Sequence, residues 1–361
     1  MIIASVGTAH PPHHHSQDAL IDAFEAVWAA SHHNTHRVRR FHDAVCVGGR
    51  HTALPLSDYP SLTFKEANDT FLTVGLDVAE QALRSALDEA GLAPGDLDAI
   101  FVASVTGIGT PSLDARLFNR MGLRPDIKRV PIFGLGCVAG AAGLARVHDY
   151  LRGFPQHTAA LVCVELCSLT LQREDLSVAN LVASGLFGDG AAAVIGLGAE
   201  HPAAHSHSGP RVLSTRSRMY PNTEHVMGWD IGPSGFKVVL DASVPDVART
   251  FLGDDVRGFL ADHQLRIGDV PTWVCHPGGP KVLDAFRDAL SLSEAQLELT
   301  WRSLRREGNM SSASVLFVLR DTLTERPLEP GAPGVLMAMG PGFCSELVLL
   351  QGAPQGPHKA S

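Results

Sequence analysis

Short, almost wholly apolar runs alternate with longer amphipathic ones along this 361-residue chain, and that alternation limits its possible folds more than any single motif does. Asp98 to Ser104, Ala159 to Glu165 and Ala191 to Ile195 are brief and, apart from end residues, apolar, as strands buried on both faces are. Leu72 to Ala90 repeats its apolar residues at helical spacing and is stopped by Gly91 and Pro94. Strands buried on both faces need helices above and below, so the pattern predicts an α/β architecture with interior sheets. Met1 to Gly7 reads as a first strand, lacking the basic start and long apolar core of a signal peptide.

The polar, loop-like stretch Gly196 to Arg211 is the best internal boundary. It divides the chain into halves 1–205 and 206–361. The halves echo each other. Gly185-Leu186-Phe187-Gly188-Asp189-Gly190 precedes the strand Ala191 to Ile195, and Gly340-Pro341-Gly342-Phe343 precedes an apolar run, Leu347 to Leu350. Two glycine turns feeding two strands hint at a duplicated unit. The tail from Gly352 is expected to fray.

Composition narrows the function. A formal charge of −9 argues against nucleic acid as main partner. No apolar run reaches the about 18 residues of a membrane span. The cysteines Cys46, Cys137, Cys163, Cys167, Cys275 and Cys344 follow no framework spacing, as expected of reduced thiols in the cytoplasm. Cys163 and Cys167 lie in an apolar run and read as core. His10, His13, His14 and His15 form the densest histidine cluster, but no second ligand set at defined spacing accompanies them. They read as a solvated loop, and no metal is expected.

Cys137 lies in Gly134-Leu135-Gly136-Cys137-Val138-Ala139-Gly140, with an amphipathic run to about Tyr150 behind it. This places a thiol at the first turn of a helix, where unpaired N–H groups and the dipole favour a thiolate. Glycines there admit another molecule. Taken singly, Cys137 also fits a buried cysteine in a Gly/Ala packing motif. His276 stands at the end of a buried strand, in Cys275-His276-Pro277-Gly278-Gly279-Pro280. Asn309, in Gly308-Asn309-Met310-Ser311-Ser312, is placed near the N-cap of a helix through Val315 to Leu319. A thiolate beside an imidazolium is an activated nucleophile, and an Asn amide with a His N–H can hold an oxyanion or enolate. Papain-like proteases and condensing enzymes both use this Cys, His, Asn order. The run Gly134, Gly136, Gly140 has one gap too long for a dinucleotide fingerprint.

Gly136-Cys137-Val138-Ala139-Gly140, His276-Pro277-Gly278-Gly279-Pro280 and Gly308-Asn309-Met310-Ser311-Ser312 together resemble the type III polyketide synthases, the chalcone synthase-like superfamily, over about residues 1–352. Leu186-Phe187-Gly188-Asp189-Gly190 and Gly340-Pro341-Gly342 match too. Ketoacyl synthase III shares the catalytic order but carries His-Gln-Ala-Asn at the histidine. The resemblance implies a thiolase fold, a duplicated five-layered αβαβα architecture, in a homodimer. It implies that Cys137 carries the acyl group, while His276 and Asn309 hold malonyl-CoA through decarboxylation. Phe187 would stand at the cavity mouth, with Thr110, Gly228 and the Gly340-Pro341-Gly342 turn shaping the substrate space. Thr110 would reach the partner's cavity. Arg37, Arg39 and Arg40, with Arg50 as a further candidate, are expected to meet CoA phosphates. Acyl-CoA and malonyl-CoA are the expected partners, and no separate cofactor is required. Cys137 to Leu144 and Met227-Gly228-Trp229-Asp230-Ile231 resemble the bacterial alkylresorcinol and alkylpyrone synthase branch, which implies fatty starters. A single-round condensing enzyme and a non-catalytic acyl-CoA binder are the competing readings.

Overall fold

The structure, a computed structural model, describes residues 1–28 and 36–354. The tail beyond residue 354 therefore lies outside the described residues. In chain order the elements begin with β1 (Ile2–Ala9), β2 (His13–Ser16), α1 (Gln17–Trp28), α2 (His36–Ala44), β3 (Gly49–Thr52), α3 (Phe64–Ala90) and β4 (Ala99–Ala103). They continue with α4 (Leu113–Met121), β5 (Lys128–Ile132), α5 (Ala139–Gly153), β6 (Thr158–Leu166), α6 (Val178–Leu186), β7 (Asp189–Leu197) and β8 (Arg211–Met219). β9 (Met227–Gly232), β10 (Gly235–Leu240), α7 (Val244–Ala261), β11 (Thr272–Cys275), α8 (Pro280–Leu290) and α9 (Glu294–Glu307) follow. The last are α10 (Ser314–Glu325), β12 (Pro333–Gly340) and β13 (Cys344–Gln351).

The main sheet runs β11-β12-β13-β8-β1-β7-β6-β4-β5. Outward from its middle, β1-β7-β6-β4 and β8-β13-β12-β11 repeat one pattern: antiparallel, antiparallel, parallel. The two copies meet where Ile2 pairs with Arg211. β7 and β13, the strands behind the two glycine turns, hold equivalent places, so the echo in the sequence is a duplicated unit. β5 adds a parallel edge to the first copy only.

Helices α5 and α10 form the middle layer. α5 packs on β4, β6 and β7 on one side and on β8, β12 and β13 on the other; α10 packs on β1 and β7 and on β11 and β12. The outer layers are α3 over β1, β6 and β7, and α7 with α8 beyond β13. Three apolar cores fill the gaps between layers. At roughly 1.5–3 kcal/mol per buried Leu or Val side chain, these layers supply the main stabilising term. The thiolase-like α/β fold is thus built from two copies, with the site between them.

A helix packed on both faces has no room for large side chains. α5 therefore opens Ala139-Gly140-Ala141-Ala142-Gly143, all buried. A Cβ on Gly140 would lie 2.4 Å from the Ser312 carbonyl oxygen, and one on Gly143 would lie 2.5 Å from Leu161. α3 starts earlier than the apolar spacing indicates. Thr63 and Glu66 form a capping box, and the helix ends at Gly91 with φ 67°. His13, His14 and His15 are not in a loop: they form β2, paired with β3, so His14 faces His51.

Candidate active site

The Cys137 turn is a single turn of 3-10 helix, Gly136 to Val138, leading directly into α5. It is held from behind. A Cβ on Gly136 would meet Pro341 at 2.8 Å, and one on Gly340 would meet the Val138 nitrogen at 2.7 Å. Gly340 and Pro341 therefore back the cysteine turn, and Gly342 leads on to Phe343.

Asn309 lies, as expected, beside the N-cap: Met310 caps the 3-10 turn Ser311–Ala313 that leads into α10. Asn309 itself lies in a short extended bridge paired with Phe187. Its N–H donates to the Leu186 carbonyl at 2.9 Å, and the Gly188 N–H donates to its carbonyl at 3.0 Å. Its Oδ1 accepts from the Ser311 N–H at 2.8 Å, and its Nδ2 donates to the Gly278 carbonyl at 3.3 Å. That last bond latches the Asn309 segment to the His276 loop. His276 continues the line of β11, donating its N–H to the Met337 carbonyl at 2.9 Å. Three remote stretches therefore converge on one point.

Cys137, His276 and Asn309 are 6%, 3% and 2% exposed. Burial pushes the Cys137 thiol up to about 11, hydrogen bonds from Ser311 and Asn309 oppose the rise, and the Glu165 charge adds to it. Burial brings His276 down to about 3, and both its ring nitrogens lack a protein partner. The resting pair is therefore neutral thiol and neutral imidazole, not the thiolate that helix position alone suggests. Desolvation outweighs the helix dipole here.

Glu165 is the residue that motif reading passed over. It is fully buried at the end of β6. Its Oε2 accepts from the Val105 N–H at 3.1 Å and from the hydroxyls of Thr106 at 2.9 Å and Ser104 at 3.3 Å. Its Oε1 accepts from the Ser312 hydroxyl at 2.5 Å. Burial nevertheless pushes the carboxyl up to about 7. The signal was present in the sequence: an acid in an apolar strand is costly unless partnered.

Beside this cluster lies a cavity of ≈ 720 Å³ including its open mouth, lined by Phe24, Tyr59, Cys167, Leu171, Phe187 and Trp229 among others. Phe187 belongs to both, since it lines the cavity and pairs with Asn309. Cys163 is core, whereas Cys167 is buried but faces the cavity. Gly228 has open space around it and precedes the lining Trp229. Thr110 is exposed and takes no part in this chain's own cluster.

The arginines divide. Arg50 is buried, donating to the carbonyls of Phe187 at 3.1 Å and of Ser184, so it braces the cavity wall and cannot serve as a surface phosphate ligand. Arg39 is engaged by Asp18, Asp22 and Glu25. Arg37 and Arg40 lie over the Phe41 ring, leaving Arg40 the most exposed of the group.

With the fold and cluster in place, comparison with known proteins fixes the class. Models of the chalcone and stilbene synthases match residues 1–201 (N-terminal domain) and 211–354 (C-terminal domain). The chain belongs to this family and is a type III polyketide synthase, an acyltransferase-type enzyme. A 1,3,6,8-tetrahydroxynaphthalene synthase of Streptomyces peucetius subsp. caesius is 55% identical over 97% of this chain and 92% of its own. A 3,5-dihydroxyphenylacetyl-CoA synthase of Streptomyces toyocaensis is 33% identical over 97% of this chain and 89% of its own. The crystal structure of 1,3,6,8-tetrahydroxynaphthalene synthase from Streptomyces coelicolor A3(2) superposes with a TM-score of 0.91 at 30% identity, covering 98% of this chain and 99% of that one. No helix among the described residues is long and apolar enough to cross a membrane.

Proposed function

We propose that Cys137 takes an acyl group from a CoA thioester and extends it with malonyl-CoA, with His276 and Asn309 as its partners. The observation that carries this reading is the latch itself. The turn that carries Cys137 packs on the Ser311–Ala313 turn that Asn309 leads into, and Asn309 Nδ2 donates to Gly278 of the His276 loop.

Cys137 sulfur attacks the acyl carbonyl as its proton passes to His276. The bond from that carbonyl to the CoA sulfur breaks, and CoA leaves as its thiol. Malonyl-CoA then binds with its thioester oxygen toward His276 and Asn309. Its carboxylate leaves as carbon dioxide, and the C–C bonding pair becomes the enolate those donors hold. The enolate carbon attacks the Cys137-bound acyl carbon, the sulfur departs, and the lengthened chain sits on CoA for another round. A dry site strengthens each of these interactions. Phe187, between cavity and cluster, keeps water from the enolate.

The first reading of the product is a polyhydroxylated aromatic built from malonyl units. It rests on the relative at 55% identity, named for 1,3,6,8-tetrahydroxynaphthalene. Oxygens on alternate ring positions are what a chain of two-carbon units gives on folding back, with no alkyl tail. The second reading is a fatty acyl starter closed to an alkylpyrone or alkylresorcinol. Leu20, Ala23, Phe24 and Val27 of α1, which line the cavity, favour it, since each buried methylene is worth about 0.8 kcal/mol. A homodimer is proposed from the open sheet edge at β5, where Val130 and Phe133 are exposed. Arg37 and Arg40 are kept as CoA phosphate ligands.

Malonyl-CoA alone is the deciding substrate. A naphthol from it supports the first reading, and product only with long-chain acyl-CoA supports the second. A single extension that requires acyl carrier protein overturns both. Cys137→Ala is expected to abolish product and the acyl adduct seen by mass spectrometry; full product from this variant overturns the mechanism.

A further inference from the structure

Away from Cys137, the end of α9 carries a second cluster of donors. Glu307 precedes Asn309 by two residues, and its Oε2 lies 2.8 Å from His10 Nε2, just past β1. The His10 ring stacks on His51 of β3, with centroids 4.2 Å apart. One donor atom from each of His10, His51 and Glu307 lies within 4.8 Å of the others. His51 Nδ1 is 2.8 Å from the Pro11 carbonyl oxygen. A carbonyl can only accept, so this nitrogen carries the proton and the lone pair is on Nε2. A backbone carbonyl behind an imidazole is the support that metal-bound histidines use. Arg306 approaches the other Glu307 oxygen, Oε1, at 3.6 Å, which leaves Oε2 to the cluster.

We propose that His10, His51 and Glu307 bind a divalent transition ion of the zinc type. Two imidazoles and one carboxylate suit that ion's preference for nitrogen and oxygen donors. Bonds of ~2.0–2.2 Å set tetrahedral ligands ~3.4 Å apart. His10 and Glu307 are already close enough. His51, half-buried, has only to close what remains of the 4.8 Å span to complete the set. The His10 side chain is 24% exposed, so water can take the fourth position. The ion would tie β1, β3 and α9 together directly behind the segment that presents Asn309. The sequence concealed the set because its three members lie 41 and 256 residues apart (51 − 10; 307 − 51).

The test uses the full chain, stripped with chelator and titrated with Co²⁺ and Zn²⁺. One equivalent of Co²⁺ is expected to give a visible d–d band that Zn²⁺ displaces, and Zn²⁺ should raise the melting temperature. His51→Ala and Glu307→Gln should each weaken Zn²⁺ at least tenfold by calorimetry, whichever of them folds serving as the readout. A His205→Ala/His207→Ala variant, in the turn after β7, should bind as the parent does. Absence of a one-equivalent band, unchanged affinity in His51→Ala, or loss of binding in the His205/His207 variant overturns the site. None of these readouts depends on polyketide chemistry, so this proposal and the functional one fail separately.

Discussion

At the scale of the residue, the site is set by how much water each group loses. Cys137 and His276 rest neutral because both are buried. His276→Gln and Asn309→Ala are each expected to lower both decarboxylation and extension by at least 100-fold, since one oxyanion donor is commonly worth about 10²–10³ in rate. Unchanged decarboxylation of malonyl-CoA would remove these residues from the enolate step. Glu165 offers a pH test. Its folded value of about 7 lies above the ordinary 4.5, so between those values the folded chain holds a proton that the unfolded chain has lost. Stability contributed by this group is full below about pH 4.5 and falls as pH rises to 7, by roughly 3 kcal/mol in all. Relative to the parent, Glu165→Gln should therefore gain stability between pH 4.5 and 8, read as the difference in urea midpoints. A pH-independent difference would mean that the carboxyl is not held protonated.

At the scale of the element, small residues decide how closely two helices approach. α5 can lie against the Ser311–Ala313 turn only because position 140 has no side chain. Gly140→Ala would drive a methyl into the Ser312 carbonyl oxygen, a backbone atom that cannot swing aside. We expect a loss of about 1–3 kcal/mol and slower condensation, because Ser312 holds Glu165 and its turn packs on the turn that carries Cys137. A variant with parent stability and rate would show that the turn yields freely. The same elements show what a sequence can carry. The end of α3 was legible because Gly91 is a local signal. Its start at Phe64 was not read from apolar spacing, because the capping box that begins it is polar. β2 was taken for loop because three consecutive histidines carry no strand pattern; its partner β3 supplies the order.

At the scale of the molecule, the two copies differ at one edge. β11 closes its copy and is buried under neighbouring helices, whereas β5 ends the other copy with Lys128, Arg129, Val130 and Pro131 exposed and Phe133 53% exposed beyond it. An open edge with exposed apolar side chains is a pairing surface unless covered. If a second chain covers it, Phe133→Glu should shift the mass seen by light scattering from two chains toward one; a parent that is already monomeric would remove the proposed dimer. Thr110, exposed in this chain, is then the side chain to follow, because Thr110→Met should alter product distribution only if it reaches a partner's cavity.

The sequence by itself determined the layered α/β class and the duplicated glycine turns, and it singled out Cys137, His276 and Asn309 as candidates. These are written in local patterns: apolar period, turn chemistry and short motifs that keep a reactive side chain beside small neighbours. The tertiary structure alone decided the rest. It buried Arg50, seated Glu165 under four donors, bridged Asn309 to Phe187, and brought His10, His51 and Glu307 together. Each of these depends on which remote segments share a space and how much water they exclude, and neither is written in any local stretch of the chain.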